Sequence, residues 1–140
     1  MKRAPALVPL SREHHEALVL ARRACEPDRP GADPAPLRLH VLRRWDEHFE
    51  PHFATEERVL LPALAAAGAR DEAARALAEH AQLRSLIARL RAGEPDALAP
   101  WGAALREHVQ WEERQLFPLA EKLLDLPALE AQLRRGEQAP

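Results

Sequence analysis

Three features of the sequence predict an all-α chain, folded as an antiparallel up-down four-helix bundle with room for a short C-terminal helix. Nearly half of the 140 residues are apolar, but Ala and Leu dominate, Tyr is absent and β-branched residues are few. That composition favours helix over sheet. Four long stretches carry apolar residues at helical spacing with short connections between them, which an antiparallel bundle satisfies most simply. The third feature is a repeat. HFEPHFATEERVLLP at 48–62 recurs fifty-six positions later as HVQWEERQLFP at 108–118, matching at His52/His108, Glu56/Glu112, Glu57/Glu113, Arg58/Arg114 and Pro62/Pro118, and the same offset pairs Trp45 with Trp101. Self-similarity at a fixed period reports a repeated structural unit.

In chain order, the first helical pattern begins near Ser11, read as an N-cap, with Glu13 and Glu16 in the opening turn. Leu10, His14, Leu18, Ala21 and Cys25 form its stripe, and His15 sits on the shoulder. EPDRPGADPAP at 26–36 holds four prolines in eleven residues and reads as a connection. The second pattern runs from about Leu37 to Ala67 and stops at Gly68, a natural C-cap. Pro51 and Pro62 lie inside it and are expected to bend it, Pro51 by freeing the carbonyl of Glu47. The third pattern starts near Arg70 and Asp71 and ends at Gly93. Its apolar face reads Ala73, Leu77, His80, Leu83, Ile87, Leu90. GEPD at 93–96 is a turn, and the fourth pattern spans about Ala97 to Leu124 with a bend at Pro118. A short amphipathic helix at 128–135 can follow, and 136–140 reads as a loose tail. The whole is expected to be one domain, 1–140, with its core within about 8–124.

Composition excludes several function classes. A net charge of −2 and a pI near 6.4 give no basic field for nucleic acid or an anionic membrane. No stretch approaches the ~20 apolar residues of a membrane span, and MKRAPALVPL is interrupted by Pro5 and Pro9, unlike a signal peptide. Cys25 is the only cysteine, so no internal disulfide forms. A cytoplasmic protein with no nucleic-acid or membrane partner is the expectation, and a homodimer is left open.

The chemistry lies in the repeat. In each copy a histidine and a glutamate stand four apart, neighbours on one helix face, inside an apolar stripe. Imidazole and carboxylate aimed into a core are unfavourable unless paired or bound to metal. His15-x-x-Leu18 and His80-x-x-Leu83 share a spacing on the first and third helices. Packed as a bundle, the inward set is His15, His52, Glu56, His80, His108 and Glu112. Four imidazoles and two carboxylates converging in an apolar interior suit a pair of mid-transition metal ions better than one tetrahedral zinc. His14 fits the stripe better than His15, while His15 fits the His-x-x-Leu spacing; His15 is preferred and His14 is the alternative. His48, one turn before His52, is read as lining, His40 as surface, and Glu57 and Glu113 as solvated or paired with Arg58 and Arg114. The aromatic residues Trp45, Phe49, Trp101, Trp111 and Phe117 are read as core walls, and Cys25 as inert core.

The two His-x-x-x-Glu-Glu-x-x-Leu-(Leu/Phe)-Pro units, after upstream His-x-x-Leu signals, resemble the haemerythrin-like, or HHE cation-binding, family over about residues 8–124. That resemblance implies a non-haem di-iron centre with an oxo or hydroxo bridge, manganese or zinc being the alternatives. Glu56 and Glu112 would bridge, and His15, His52, His80 and His108 would be terminal ligands. The expected ligand is a small molecule such as O2, peroxide or NO, or iron itself is the species sensed. Two alternatives are an oxidoreductase, peroxidase-like or NO-handling enzyme on the same scaffold and a metal-free interaction bundle. The chain departs from the oxygen-carrying branch at Ala76, where that branch has a second histidine, and in placing Glu112 four rather than five residues after His108. Two octahedral irons offer about twelve positions. Four imidazoles, two bridging carboxylates and a bridging oxygen fill about ten, leaving about two open against one in the carrier pattern. Simple oxygen storage is thereby disfavoured relative to reactivity, sensing or ligand exchange.

Overall fold

The structure is a computed structural model that describes residues 2–26 and 33–138. Those residues form helices and turns alone, in the all-α arrangement the composition predicts. A 3-10 turn at Pro5–Leu7 leads into α1, Val8–Cys25. The second rod comprises α2 (Ala35–Arg44), a π turn at Trp45–Phe49, α3 (Glu50–Thr55), a π turn at Glu56–Leu60 and α4 (Leu61–Ala66). The third rod is α5, Arg70–Arg91. After a 3-10 turn at Pro95–Ala97, the fourth comprises α6 (Leu98–Trp111), a π turn at Glu112–Leu116 and α7 (Phe117–Leu123). A final helix, α8, runs over Leu126–Gln138.

Several local expectations are corrected by these boundaries. Helix α1 begins at Val8, so Ser11 lies within it and is not its cap; Pro9 is tolerated because it falls in the first turn, where no intrahelical amide is needed. The C-terminal helix is longer than 128–135 and takes in residues 136–138 of the supposed tail. Within the Pro-rich connection, residues 27–32 lie outside the described residues, as do 139–140. Leu77 is 47% exposed, and the third helix turns Ala76 inward instead.

The prolines act through the π turns. Glu50, Leu61 and Phe117 each donate their amide five residues back, to Trp45, Glu56 and Glu112, and each is followed directly by a proline. A widened turn before the ring relieves its clash with the preceding carbonyls, so the rod continues where a straight α-helix would break. Gly68 and Gly93 end their helices as expected, with φ of 101° and 93°. The following amides close back: Ala69 donates to Leu64 at 2.8 Å and Glu94 to Arg89 at 3.0 Å, a Schellman closure.

Helix α1 lies along α6, α6 along α5, and α5 along α4 and α2. At the first of these contacts Gly102 is needed for its small size. A Cβ there would stand 2.7 Å from the carbonyl oxygen of Ala21 and 2.9 Å from Ala24 Cβ. The core is two apolar clusters. One gathers Ala17, Trp45, Phe49, Phe53, Leu83, Trp101 and Leu105. The other gathers Leu7, Leu10, Leu60, Leu64, Ala76, Trp111, Leu116 and Phe117, closed by Leu129 and Leu133 of α8. Along every rod a buried polar residue lies where the two meet: His14 between Leu10 and Ala17, Glu56 between Phe53 and Leu60, His80 between Ala76 and Leu83, and His108 with Glu112 between Leu105 and Leu116. A polar layer thus crosses the middle of the bundle.

Candidate metal centre

Each rod brings one face of that layer. His14 comes from α1, His52 from α3, Glu56 from the start of the second π turn, His80 from α5, His108 from α6 and Glu112 from the start of the last π turn. All six are at most 4% exposed. They form two four-membered groups, His14/His52/Glu56/Glu112 and Glu56/His80/His108/Glu112, whose donor atoms lie within 4.8 Å of one another. The two carboxylates belong to both groups. Glu56 reaches His52 Nε2 with one oxygen and His80 Nε2 with the other, each at 3.1 Å. Glu112 does the same for His14 Nε2 at 3.0 Å and His108 Nε2 at 3.4 Å.

The donor set fits cations. His14 Nε2, Glu56 Oε1 and both Glu112 carboxylate oxygens are buried without a hydrogen-bond partner. Yet His14 Nε2 and Glu112 Oε1 are only 3.0 Å apart. Atoms that close without an aligned bond leave hydrogen-bonding capacity unmet, and a buried orphan of this kind is unfavourable unless an ion or water completes it. Two nitrogens and two carboxylate oxygens per group are the donors that mid-transition metals take, and the carboxylates common to both groups set the two groups side by side.

A second ring of residues fixes the imidazoles. His80 Nδ1 donates to Glu57 at 2.7 Å, His108 Nδ1 to Glu79 at 2.7 Å and His14 Nδ1 to Glu113 at 3.0 Å. A carboxylate accepts only, so Nδ1 of each ring carries a proton and Nε2 is the nitrogen turned inward. Cations and a hydroxyl brace these carboxylates in turn: Arg84 on Glu57 at 2.7 Å, Arg75 on Glu79 at 2.9 Å, and Ser11 on Glu113 at 2.8 Å. Arg75 also covers the Trp111 ring at 4.4 Å. Aromatic walls close the layer, Phe117 stacked on His14 at 5.1 Å and Phe53 against His80 at 4.4 Å.

Without metal, the layer holds its charges as internal pairs. Burial pulls the His52 imidazole down, but the Glu56 charge beside it, with further help from Glu13 and Glu112, wins and raises it to about 10. His108 is likewise lowered by burial and raised further by Glu112 and Glu79, to about 10. His14 is raised, burial being outweighed by Glu112 and Glu113. Burial pushes Glu112 up, yet His108 and His14 hold it well below the usual carboxylate range. Glu57, Glu79 and Glu113 are all lowered against burial, by Arg84 and His80, by His108 and Arg75, and by His14 and Ser11.

Of the residues singled out from sequence, the structure brings His52, Glu56, His80, His108 and Glu112 together and leaves His15 out. His15 is exposed, and its neighbour His14 occupies the inward position on α1. Adjacent helical residues point about 100° apart, so only one of the two can face the layer. His48 and His40 are exposed, outside both groups. Glu57 and Glu113 are not simply solvated: they hold His80 and His14. A signal for His14 was present, because Glu13-His14 and Glu79-His80 are the same dipeptide. Glu79 holds His108, and Glu13 lies 3.6 Å from His52 Nδ1.

A family profile described as the Hemerythrin HHE cation binding domain matches residues 7–120. The span covers all six residues of the layer and most of the chain. The protein belongs to this family of cation-binding helical bundles. No curated protein and no solved structure matches the chain. No helix among the described residues is long and apolar enough to cross a membrane.

Proposed function

We propose that the chain binds two iron ions between the four rods, with His14 and His52 on one, His80 and His108 on the other, and Glu56 and Glu112 shared, and that it binds or senses a small ligand there. The observation that carries this reading is the pair of carboxylates whose two oxygens each address a different histidine pair, with donor atoms left without partners in a buried layer. A bound iron pair supplies redox chemistry and exchangeable positions for a ligand such as O2, peroxide or NO. The residues determine the rest. The carboxylate-held Nδ1 protons on His14, His80 and His108 keep three Nε2 atoms turned inward, where metal would take the place of any proton they carry. Phe53, Phe117 and Trp111 exclude bulk water, which strengthens every charge interaction in the layer. Ala76, with no exposure, stands one turn before His80 and contributes no donor. Near-complete burial of all six residues favours a ligand of a few atoms over a bulky substrate.

The test is anaerobic titration of metal-free protein with ferrous iron, counting bound metal by mass spectrometry. Two irons per chain are expected for the natural sequence. Glu112→Ala, which removes a donor common to both groups, is expected to weaken both sites. A chain that takes up no iron, or isolates with one zinc, refutes the reading.

A further inference from the structure

The two halves of the polar layer are braced unequally. In the His80/His108 half both Nδ1 atoms make 2.7 Å bonds, to Glu57 and Glu79, and each carboxylate is gripped by an arginine. Arg84 grips more than Glu57: it also reaches both oxygens of Glu50, at 2.8 to 3.1 Å, so its guanidinium is fixed from two sides. In the other half, His14 has a 3.0 Å bond to Glu113, which Ser11 braces at 2.8 Å while its arginine, Arg3, stands off at 3.7 Å. His52 has no such bond. Glu13 stands 3.6 Å from Nδ1, beyond hydrogen-bond range, and that buried nitrogen lacks a hydrogen-bond partner.

We propose that the two metal positions differ in affinity, the His80/His108 position filling first, with Glu57 and Glu79 as its positioning residues, and that His52 is the least constrained ligand of the later, more exchangeable position. The proposal rests on the dinuclear reading above. The physical ground is orientation. An imidazole whose outer N–H is locked to an ionised carboxylate is already turned for ligation and is more basic at Nε2, so less freedom is lost when metal binds. His52 is turned inward by Glu56 at Nε2 alone, with no carboxylate bonded to its outer nitrogen. Once the first ion is in place, Glu56 and Glu112 are fixed by it, and His14 with His52 completes the second position around carboxylates already set.

The test is calorimetry of anaerobic ferrous iron into the metal-free full chain. Two resolved steps are expected. His52→Ala should abolish only the weaker step and His108→Ala the tighter. Glu79→Gln and Glu57→Gln, near-isosteric changes at partly exposed side chains, should weaken the tighter step by about 10–100-fold and leave the order of events readable. Arg75→Gln should weaken the same step less, and Glu13→Gln should leave it unmoved. A general loss of fold would lower both steps together. The proposal is overturned if both ions bind in one step, if Glu79→Gln and Glu13→Gln move the same step, or if His52→Ala removes the tighter one. No iron uptake by the natural chain would overturn the dinuclear reading itself.

Discussion

Replacing His14 and His15 one at a time separates two adjacent residues with opposite surroundings. His14 is 2% exposed, touches Glu112 and Glu113 at 3.0 Å and stacks on Phe117, whereas His15 is exposed. In metal-free protein, His14→Ala breaks a buried charge pair and leaves a void beside Phe117. Breaking such pairs costs about 3–5 kcal/mol, and His108 remains beside Glu112, so the lower end, about 3 kcal/mol, applies. His15→Ala stays within about 0.5 kcal/mol, as surface changes do. At roughly 3–5 °C per kcal/mol for a domain of this size, the first lowers the melting temperature by roughly 10 °C and the second by under 3 °C. Metal widens the gap. A ligand at about a hundred times its dissociation constant adds about 2.7 kcal/mol per site, and the His14 variant forfeits most of that for one site. Differential scanning calorimetry with and without ferrous iron reads both effects. If His15→Ala loses metal stabilisation and His14→Ala keeps it, the assignment of the inward face of α1 is wrong.

Two further outcomes follow from the geometry. Gly102→Ala gains about 1 kcal/mol of helix propensity but drives a methyl to 2.7 Å from the Ala21 carbonyl, a backbone atom that cannot swing aside. Overpacking of about 1–3 kcal/mol should win, and urea unfolding is expected to show a net loss of about 1–2 kcal/mol; a more stable variant refutes the tight α1–α6 contact. The metal-free protein should also respond to pH in a defined direction. His52 and His108 are raised to about 10, so their contribution is complete below about 6.5 and is lost as pH climbs towards 10. Glu112 is lowered, so its contribution is present above its usual range and is lost on acidification. Melting temperature against pH should therefore fall on both sides. Iron affinity should rise between pH 6 and 8, because metal must displace these protons; affinity that is flat in that interval contradicts the pairing.

Much of the architecture was readable because the repeat and the helical stripes report the same fact. His52, Glu56, His108 and Glu112 stand out from an apolar face twice, at one spacing, and the structure sets them in one layer. The choice on α1 misled for a physical reason. The His-x-x-Leu spacing made Leu18 the inward partner of His15, but Leu18 is only partly buried and Ala17 takes the inward place. A small residue there carries no hydrophobic signal, while the Glu-His dipeptide shared with 79–80 carried the right one. Glu57 and Glu113 were misread because an arginine follows each, and a local pair looked sufficient. Their actual partners, His80 and His14, lie twenty-three and ninety-nine positions away. The π turns were visible only as prolines, since the pattern announces a disturbance but not how an extra residue resolves it.

Those widened turns have a bearing on how the chain tolerates insertion and deletion. Each absorbs one residue without ending its rod, and one residue is worth about 100° of rotation about the axis. Excising a single residue from within Glu112–Leu116 would let the widened turn close to an ordinary α turn and leave Phe117 and Ala120 facing the interior, whereas excising one from the regular helix on either side would rotate the segment beyond it by about 100°. A segment of five residues therefore acts as a phase adjuster between the half of the rod that carries His108 and the half that seals the end of the bundle. Deleting the exposed Gln115 should therefore be far less damaging than deleting one residue from α6 or α7.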